Sequence, residues 1–221
     1  MSRRDPLLRR REALAALGAL GVGTVWGARS LLGGSSAVAA PDCVLQKEVT
    51  EGPYYLDLDL MRRNIKGDRR GTPLSLRFTV VEASACRPIS NATVEIWHAD
   101  AAGEYSGVSG NGGNYLRGGQ RTNAAGVARF DTIFPGWYRG RTPHIHMKVF
   151  VSGHEVHTGQ VFFRPATYAA VYRQGVYATR GQADTDNTED MIYREAGARA
   201  ICPLTRRSGG YAGTMTIGVD V

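Results

Sequence analysis

Cysteine is scarce in this sequence, and the few cysteines that it has lie far apart. The chain has 221 residues and only three cysteines, Cys43, Cys86 and Cys202. Structural zinc sites need closely spaced pairs of cysteine or histidine ligands, so this spacing excludes the common zinc patterns. In an oxidising compartment, three cysteines are expected to form one disulfide and to leave one thiol. The sequence alone does not decide which two cysteines pair.

The sequence also lacks an apolar run that would predict a membrane-spanning helix. The run from Ala13 to Trp26 follows a basic start, is too short for a span, and is rich in glycine and alanine. Ala37-Val38-Ala39 then forms an Ala-x-Ala site, and these features together predict an export signal over residues 1–39. We therefore expect a periplasmic or extracellular protein with no stable membrane span after cleavage. An uncleaved membrane anchor is the alternative.

The basic start of this signal favours one export route. Arg10-Arg11-Glu12-Ala13-Leu14 precedes a weakly hydrophobic segment and resembles a twin-arginine signal. The twin-arginine machinery carries proteins that have already folded, so it suits a protein that takes up a cofactor in the cytoplasm. An ordinary secretion signal with a strongly basic start is the alternative interpretation.

Dense clusters of basic residues are absent from the rest of the sequence. The formal net charge is +7, but six arginines and two acidic residues lie within residues 1–39. The remaining residues carry 21 basic and 18 acidic side chains, which is a net charge of +3. Because no run of Lys and Arg with interleaved aromatic residues is left, we expect no nucleic-acid partner.

Residues 40–221 are predicted to form a single all-β domain. Short stretches alternate apolar and polar residues, and Gly, Asn, Asp and Pro separate them. This pattern is typical of a β-sandwich with long loops and a few short helices, or of an open barrel. We predict strands at 74–81, 93–98, 127–133, 143–151, 160–163 and 214–219, and short helices near 166–173 and 190–199. The Gly-rich segment 103–119 and the polar segment 181–189 are predicted to be loops, and the second loop is expected to be exposed.

Two histidines, His144 and His146, lie two residues apart in one of these predicted strands. Because side chains alternate along a strand, both imidazoles point to the same face. Two imidazoles aimed at one point can hold a metal, and Tyr138 could supply a third ligand. No Asp or Glu lies within residues 138–146, which favours a redox-active metal with oxygen and nitrogen ligands, such as iron. The alternative is an ordinary pair of half-buried polar residues.

The other histidines are given structural interpretations. His98 follows the inward alternation of its predicted strand, so we expect a buried, hydrogen-bonded side chain. His154 and His157 lie near a predicted turn at Ser152-Gly153, and we expect both to be exposed to solvent.

Six segments, in order along the chain, resemble the intradiol ring-cleavage dioxygenases. The likeness is close over residues 42–165 and looser beyond, and it is nearest to the exported, single-domain, protocatechuate 3,4-dioxygenase-like branch. It implies that residues 40–221 form a catalytic β-sandwich. The segments are Thr50-Glu51-Gly52-Pro53-Tyr54-Tyr55, Ile96-Trp97-His98-Ala99-Asp100, Gly103-Glu104-Tyr105-Ser106-Gly107, Phe134-Pro135-Gly136-Trp137-Tyr138, Arg141-Thr142-Pro143-His144-Ile145-His146 and Thr158-Gly159-Gln160-Val161-Phe162-Phe163.

The resemblance implies a ferric ion as the cofactor, held by two tyrosines and two histidines. The four implied ligands are Tyr105, Tyr138, His144 and His146. The family's active-site arginine falls on Arg141, and the glutamine that supports the site falls on Gln160. The resemblance further implies that Tyr138 is the ligand that is released and takes a substrate proton. Tyr54 and Tyr55 are candidates for the substrate pocket.

The implied activity is cleavage of a catechol-type ring by O2 to a cis,cis-muconate product. The sequence leaves open which catechol is the substrate and which oligomeric state the protein adopts. One alternative is a catalytically idle, exported β-sandwich that binds carbohydrate or aromatic ligands. A second is an extradiol-type iron(II) oxygenase, which needs two histidines and one carboxylate, whereas tyrosines occupy the matching positions here.

Overall fold

The structure, a computed structural model, describes Cys43, residues 45–108 and residues 110–221. The predicted export signal over residues 1–39 lies outside the described residues, so the signal, its cleavage and the export route stay predictions. Within the described part of the chain, no helix is long and apolar enough to cross a membrane.

Within the described residues, eight strands form two four-stranded sheets, which confirms the predicted all-β sandwich. The first sheet has the order β4-β1-β8-β7 and the second has the order β3-β2-β5-β6. Strands β1 and β8 pair in parallel, and the other pairs are antiparallel. The strands are β1 Pro73–Glu82, β2 Thr93–Trp97, β3 Arg117–Arg121, β4 Val127–Ile133, β5 His144–Val151, β6 His154–Phe162, β7 Leu204–Arg207 and β8 Gly210–Val219. The α-helices are α1 Pro165–Val171 and α2 Met191–Ala196, with 3-10 turns at Gly175–Tyr177 and Ala198–Ala200.

The alternation along β5 divides its side chains between the core and the outer face of the second sheet. Ile145, Met147 and Val149 are buried in the main hydrophobic core, where they join apolar side chains from both sheets. The side chains between them therefore point to the opposite face, where His144 and His146 lie. The inward-facing apolar side chains of β5 pack in the core, and the outward-facing histidines are available for chemistry.

A segment without regular secondary structure crosses this outer face, and we call residues 45–66 the covering segment. Near its start, the Val49 amide donates to the Thr158 carbonyl of edge strand β6 (3.0 Å). Near its end, the Arg62 amide donates to the Gly119 carbonyl of β3, at the other edge of the sheet (3.0 Å). The covering segment therefore spans the sheet from one edge to the other.

Lys148 anchors the middle of the covering segment to β5. Its Nζ lies 2.6 Å from a carboxylate oxygen of Glu51 and 2.6 Å from one of Glu155. The same Nζ lies 4.4 Å from the centre of the Tyr55 ring. A buried lysine is thus balanced by two carboxylates and an aromatic face, and one of those carboxylates belongs to the covering segment.

The disulfide joins Cys43 to Cys86, with the two Cα atoms 5.2 Å apart. It ties Cys43, two residues before the covering segment, to the turn that follows β1. Cys202 is buried and keeps its thiol. The structure thus answers which two cysteines pair.

Several sequence predictions need correction. Residues 117–119 of strand β3 were predicted to belong to the Gly-rich loop 103–119, because glycines are common in loops. Here the glycines instead admit the covering segment, since a Cβ at Gly119 would lie 3.0 Å from the Met61 sulfur. Strand β7 was also missed because its four residues are mostly polar and exposed. His157 was expected to be exposed and is buried, because the turn ends earlier and β6 begins at His154.

Candidate metal centre

His144 and His146 begin strand β5, and both imidazoles are buried. Their Nε2 atoms lie 3.0 Å apart. The His144 Nδ1 lies 2.7 Å from the Thr142 carbonyl oxygen. A carbonyl can only accept, so Nδ1 carries the hydrogen and the lone pair of Nε2 faces its neighbour. The His146 ring is fixed by face-to-face stacking on Trp97, with centroids 4.9 Å apart and planes 11° from parallel.

Two tyrosines from separate loops bring their hydroxyl groups to the same point. Tyr105, in the loop after β2, has its hydroxyl oxygen 3.1 Å from His146 Nε2. Tyr138, in the loop between β4 and β5, has its hydroxyl oxygen 3.1 Å from His144 Nε2. The structure therefore brings together all four residues that the sequence proposed as metal ligands.

The loop that carries Tyr105 is shaped by a buried aspartate. Asp100 Oδ1 accepts hydrogen bonds from the backbone amides of Ala102 (2.8 Å) and Glu104 (3.1 Å). At the far side of the loop, the buried guanidinium of Arg117 donates to the Ser106 carbonyl (2.8 Å) and to the Tyr54 carbonyl (2.7 Å). These bonds fix the backbone on both sides of Tyr105.

Desolvation shifts the pKa of each of the four side chains in the direction that favours its neutral form. Burial, together with the positive charge of Arg141, lowers the pKa of His144 and His146 well below the usual histidine value. Burial raises the pKa of Tyr105 well above the usual tyrosine value. It also raises the pKa of Tyr138, although Arg141 opposes that shift. Neutral imidazole is the form of histidine that binds metals.

This donor set suits a ferric ion. Iron(III) is a hard ion, and a phenol that loses its proton becomes a hard, anionic oxygen ligand, while imidazole fills the remaining positions. Among the described residues, no group of three or more His, Cys, Asp or Glu side chains is placed to hold a metal. The two tyrosines and two histidines are a donor set of the kind that iron(III) can bind.

Arg141 lies beside this cluster and is held from three sides. Its Nε donates to Asp190 Oδ2 (2.8 Å), its Nη2 donates to Gln160 Oε1 (2.5 Å), and its Nη1 donates to the Tyr138 hydroxyl (3.3 Å). Gln160 in turn donates from Nε2 to the Thr50 carbonyl (2.9 Å). The two polar residues predicted to assist the ligands thus contact each other, and Arg141 contacts one of the ligands.

The two candidate pocket residues occupy different places. The Tyr54 ring stacks on Tyr105, with centroids 4.5 Å apart, and approaches Tyr138 edge-on at 6.0 Å. Tyr55 packs against Trp97 instead, at 5.0 Å, and its hydroxyl donates to Glu95 (3.0 Å). Tyr54 therefore lies against the tyrosine ligands, whereas Tyr55 supports the tryptophan behind His146.

Sequence reasoning missed some of the polar residues that hold this centre. Asn187 is buried, although residues 181–189 were predicted to be an exposed loop, and Asp190, at the start of the predicted helix near 190–199, is buried as well. Asn187 Oδ1 accepts from the Thr142 hydroxyl (2.7 Å), and its Nδ2 donates to the Phe163 carbonyl (2.9 Å). Polar composition alone suggested exposure, and a buried polar residue gives no local sequence signal when its partners lie more than twenty positions away.

Comparisons with known proteins identify relatives of this chain. Residues 50–191 match a protein-family model described as "Dioxygenase". The chain is 34% identical to an intradiol ring-cleavage dioxygenase from Tetranychus urticae, with a TM-score of 0.77 over 80% of this chain and 95% of that one. It is 28% identical to the dioxygenase domain of a dioxygenase–carbohydrate-binding fusion from Streptomyces sp. SirexAA-E, with a TM-score of 0.64 over 80% of this chain and 99% of that one.

A curated relative is similar over a smaller share of its length. The catechol 1,2-dioxygenase of Acinetobacter baylyi is 30% identical over 63% of this chain and 52% of its own length. The chain therefore spans about half the length of the curated relative that it matches.

Proposed function

The chain belongs to the intradiol ring-cleavage dioxygenases, and we propose that it is an iron(III) enzyme that opens the ring of a catechol with O2. One observation carries the proposal: the two imidazole nitrogens and two phenol oxygens converge within 3.0–3.1 Å of their nearest partners. The reaction adds both atoms of O2 across the bond between the two hydroxyl-bearing carbons. That bond breaks, and a cis,cis-muconate is the product.

The four converging residues would hold the ion. His144 and His146 would bind through Nε2, and Tyr105 and Tyr138 through their phenolate oxygens. When bound, ferric ion would supply the Lewis acidity and redox chemistry that let a chelated catechol react with O2. Burial of Tyr105, His144 and His146 would keep competing water away from that reaction, while Tyr138 is only partly buried.

Tyr138 is proposed to take a proton from the substrate. It is the less buried of the two tyrosines, and its hydroxyl already accepts a hydrogen bond from Arg141. As a phenolate, the Tyr138 oxygen would be able to accept a proton from a catechol hydroxyl, and this would give the site a built-in base. Tyr105 is more deeply buried under Tyr54 and is proposed to remain a ligand throughout.

Arg141 is proposed to stabilise negative charge on the ring as oxygen attacks. The guanidinium is fixed by Asp190 and Gln160 before any substrate arrives. A charge that is already oriented costs no reorganisation during the reaction, which is why such groups are effective in buried sites. Gln160 would act by holding Arg141 in place. Tyr54 is proposed to line the substrate pocket, with Tyr55 behind it.

The substrate class is proposed from the relatives. Proteins similar to this chain are named catechol 1,2-dioxygenase, chlorocatechol 1,2-dioxygenase and protocatechuate 3,4-dioxygenase beta chain. We propose a catechol as substrate and export by the twin-arginine route as the way in which the protein reaches it. Oxygen uptake should therefore be measured with catechol, a chlorocatechol, protocatechuate and hydroxyquinol, and the products identified.

Colour is the most direct test of the metal. Tyrosinate bound to iron(III) gives a red-brown charge-transfer band, so the iron-loaded protein should be coloured. His144→Ala should lose iron and colour, while His154→Ala, which changes an exposed histidine of β6, should keep both. A colourless protein that contains stoichiometric iron would refute the proposal. A protein that binds catechols without consuming O2 would instead support a catalytically idle binding module.

A further inference from the structure

Asp190 is a buried carboxylate, and both of its oxygens are occupied. Its residue is 1% exposed. Oδ1 accepts hydrogen bonds from the amides of Ile192 (2.8 Å) and Tyr193 (3.1 Å), so it caps α2. Oδ2 accepts from Arg141 Nε (2.8 Å) and from the Thr142 amide (2.9 Å). One carboxylate therefore joins a helix to two consecutive residues of the candidate metal centre.

The bond to Thr142 reaches a metal ligand. The Thr142 amide is held by Asp190, and the Thr142 carbonyl accepts from His144 Nδ1 (2.7 Å). The Thr142 hydroxyl is held as well, because it donates to Asn187. Thr142, whose carbonyl orients the His144 ring, is thus held through both its amide and its side chain. Partners of this kind set the tautomer and direction of a metal-binding histidine.

Only a carboxylate can make these four bonds together. All four partners are N–H donors, two facing each oxygen of Asp190. An asparagine has one acceptor oxygen, and its NH2 group would face two N–H donors on the other side. The carboxylate also balances Arg141, whose side chain is only 18% exposed. Helix capping alone would not require a residue with two acceptor oxygens.

We propose that Asp190 is a positioning residue that sets the orientation of Arg141 and, through Thr142, of His144. The catalytic role of Asp190 rests on the proposed function, whereas the hydrogen-bonded link from Asp190 through Thr142 to His144 does not. The proposal therefore predicts one effect that requires iron and one that does not.

The substitution Asp190→Ser separates positioning from capping. Serine caps helices about as well as aspartate, but its single hydroxyl cannot also reach Arg141 and Thr142. Asp190→Asn removes the charge and half of the acceptors. Asp186→Asn is the matched control, because Asp186 accepts from backbone amides in the same loop, is exposed and does not contact Arg141. Thermal unfolding should verify that each variant is folded at the assay temperature.

With iron bound, Asp190→Ser and Asp190→Asn should lower kcat/KM or iron affinity about 10- to 100-fold and shift the visible band. Asp186→Asn should match the wild type. If Asp190→Ser keeps the wild-type band, iron affinity and kcat/KM, then Asp190 is only a helix cap and the proposal is wrong.

The second measurement needs no iron and no activity. Thr142 lies outside the strands, yet its amide is buried and bonded, so hydrogen exchange in the iron-free wild type should be slow. In Asp190→Ser, exchange at Thr142 should accelerate at least about tenfold while the Ile192 and Tyr193 amides stay protected. A fast-exchanging Thr142 in the wild type would overturn the link without any variant. If the wild type shows the slow exchange but binds no iron, the proposed function fails and the link stands.

Discussion

Replacing Gly52 by alanine should perturb the metal centre through a single methyl group. Gly52 lies in the covering segment with φ +72°, and its amide donates to the Thr50 hydroxyl (3.1 Å). A Cβ at this position would lie 3.3 Å from His146 Cε1. His146 is buried and stacked on Trp97, so the ring has little space in which to move. Gly52→Ala therefore combines a backbone cost with pressure on a proposed ligand.

The two effects can be separated with a matched glycine. A residue with a side chain pays about 1–2 kcal/mol to adopt left-handed backbone geometry. Gly153→Ala, in the turn between β5 and β6, carries a similar φ of +82°, and its Cβ would meet nothing within 4 Å. Both variants should therefore lose about 1–2 kcal/mol of unfolding free energy. Only Gly52→Ala should also displace His146, by a few tenths of an ångström.

Urea unfolding of the iron-free proteins measures the shared backbone cost. Iron titration and the visible spectrum measure the effect that is specific to His146. We expect iron affinity to fall about tenfold or more in Gly52→Ala, because small changes around a metal-binding histidine have effects of that size. If the two variants have the same iron affinity and the same spectrum, the close contact between Gly52 and His146 has no influence on the metal, and the reasoning fails.

Three further predictions concern the ligands and the cysteines. Tyr138→Phe should keep some iron, change the charge-transfer band and slow substrate binding in stopped-flow measurements, because three ligands remain and the proton acceptor is lost; full activity would contradict its role. Replacing Cys43 and Cys86 by serine should lower the unfolding free energy by up to about 4 kcal/mol, since the bridge closes a separation of 43 residues; an unchanged urea midpoint would show that the bridge adds no stability. Burial raises the pKa of the Cys202 thiol to about 12, so a thiol reagent at pH 8 should label it only after unfolding, and rapid labelling of the folded protein would disagree with its burial.

The strands that were predicted well are those in which packing and sequence period agree. Val127–Ile133 matches its prediction at both ends, and β5 differs by one residue. In such strands every second side chain enters the core, so the burial pattern is visible in the sequence itself. Strand β3 has no apolar side chains to alternate; it is identified by its ladder with β2 and by its hydrogen bonds to the covering segment, which lies more than fifty residues earlier in the sequence. Local pattern cannot reveal a strand that is defined by its distant neighbour.

Some residues of the candidate site can likewise be predicted from the sequence, and others cannot. The pair on β5 follows from strand alternation, but alternation alone could not identify Tyr105 as a partner, because a loop brings it to the histidines. The family resemblance supplied that residue, and the structure brings its hydroxyl to His146. Only the structure identified Asp190 as a residue that supports the site. Its role depends on N–H groups from two separate parts of the chain, and a single aspartate before a short helix is expected simply to cap it.

The supports on the two sides of the metal centre are parts of one hydrogen-bonded chain. It runs from Asp190 to Arg141, from Arg141 to Gln160, and from Gln160 to the Thr50 carbonyl, while the Thr50 hydroxyl accepts from Gly52. At one end of this network, Asp190 orients His144 through Thr142. At the other end, Gly52 lies against His146. Residues that share such a network do not contribute independently. Gln160 is therefore best understood as the residue that couples α2 to the covering segment, so that both histidines are held relative to the same arginine.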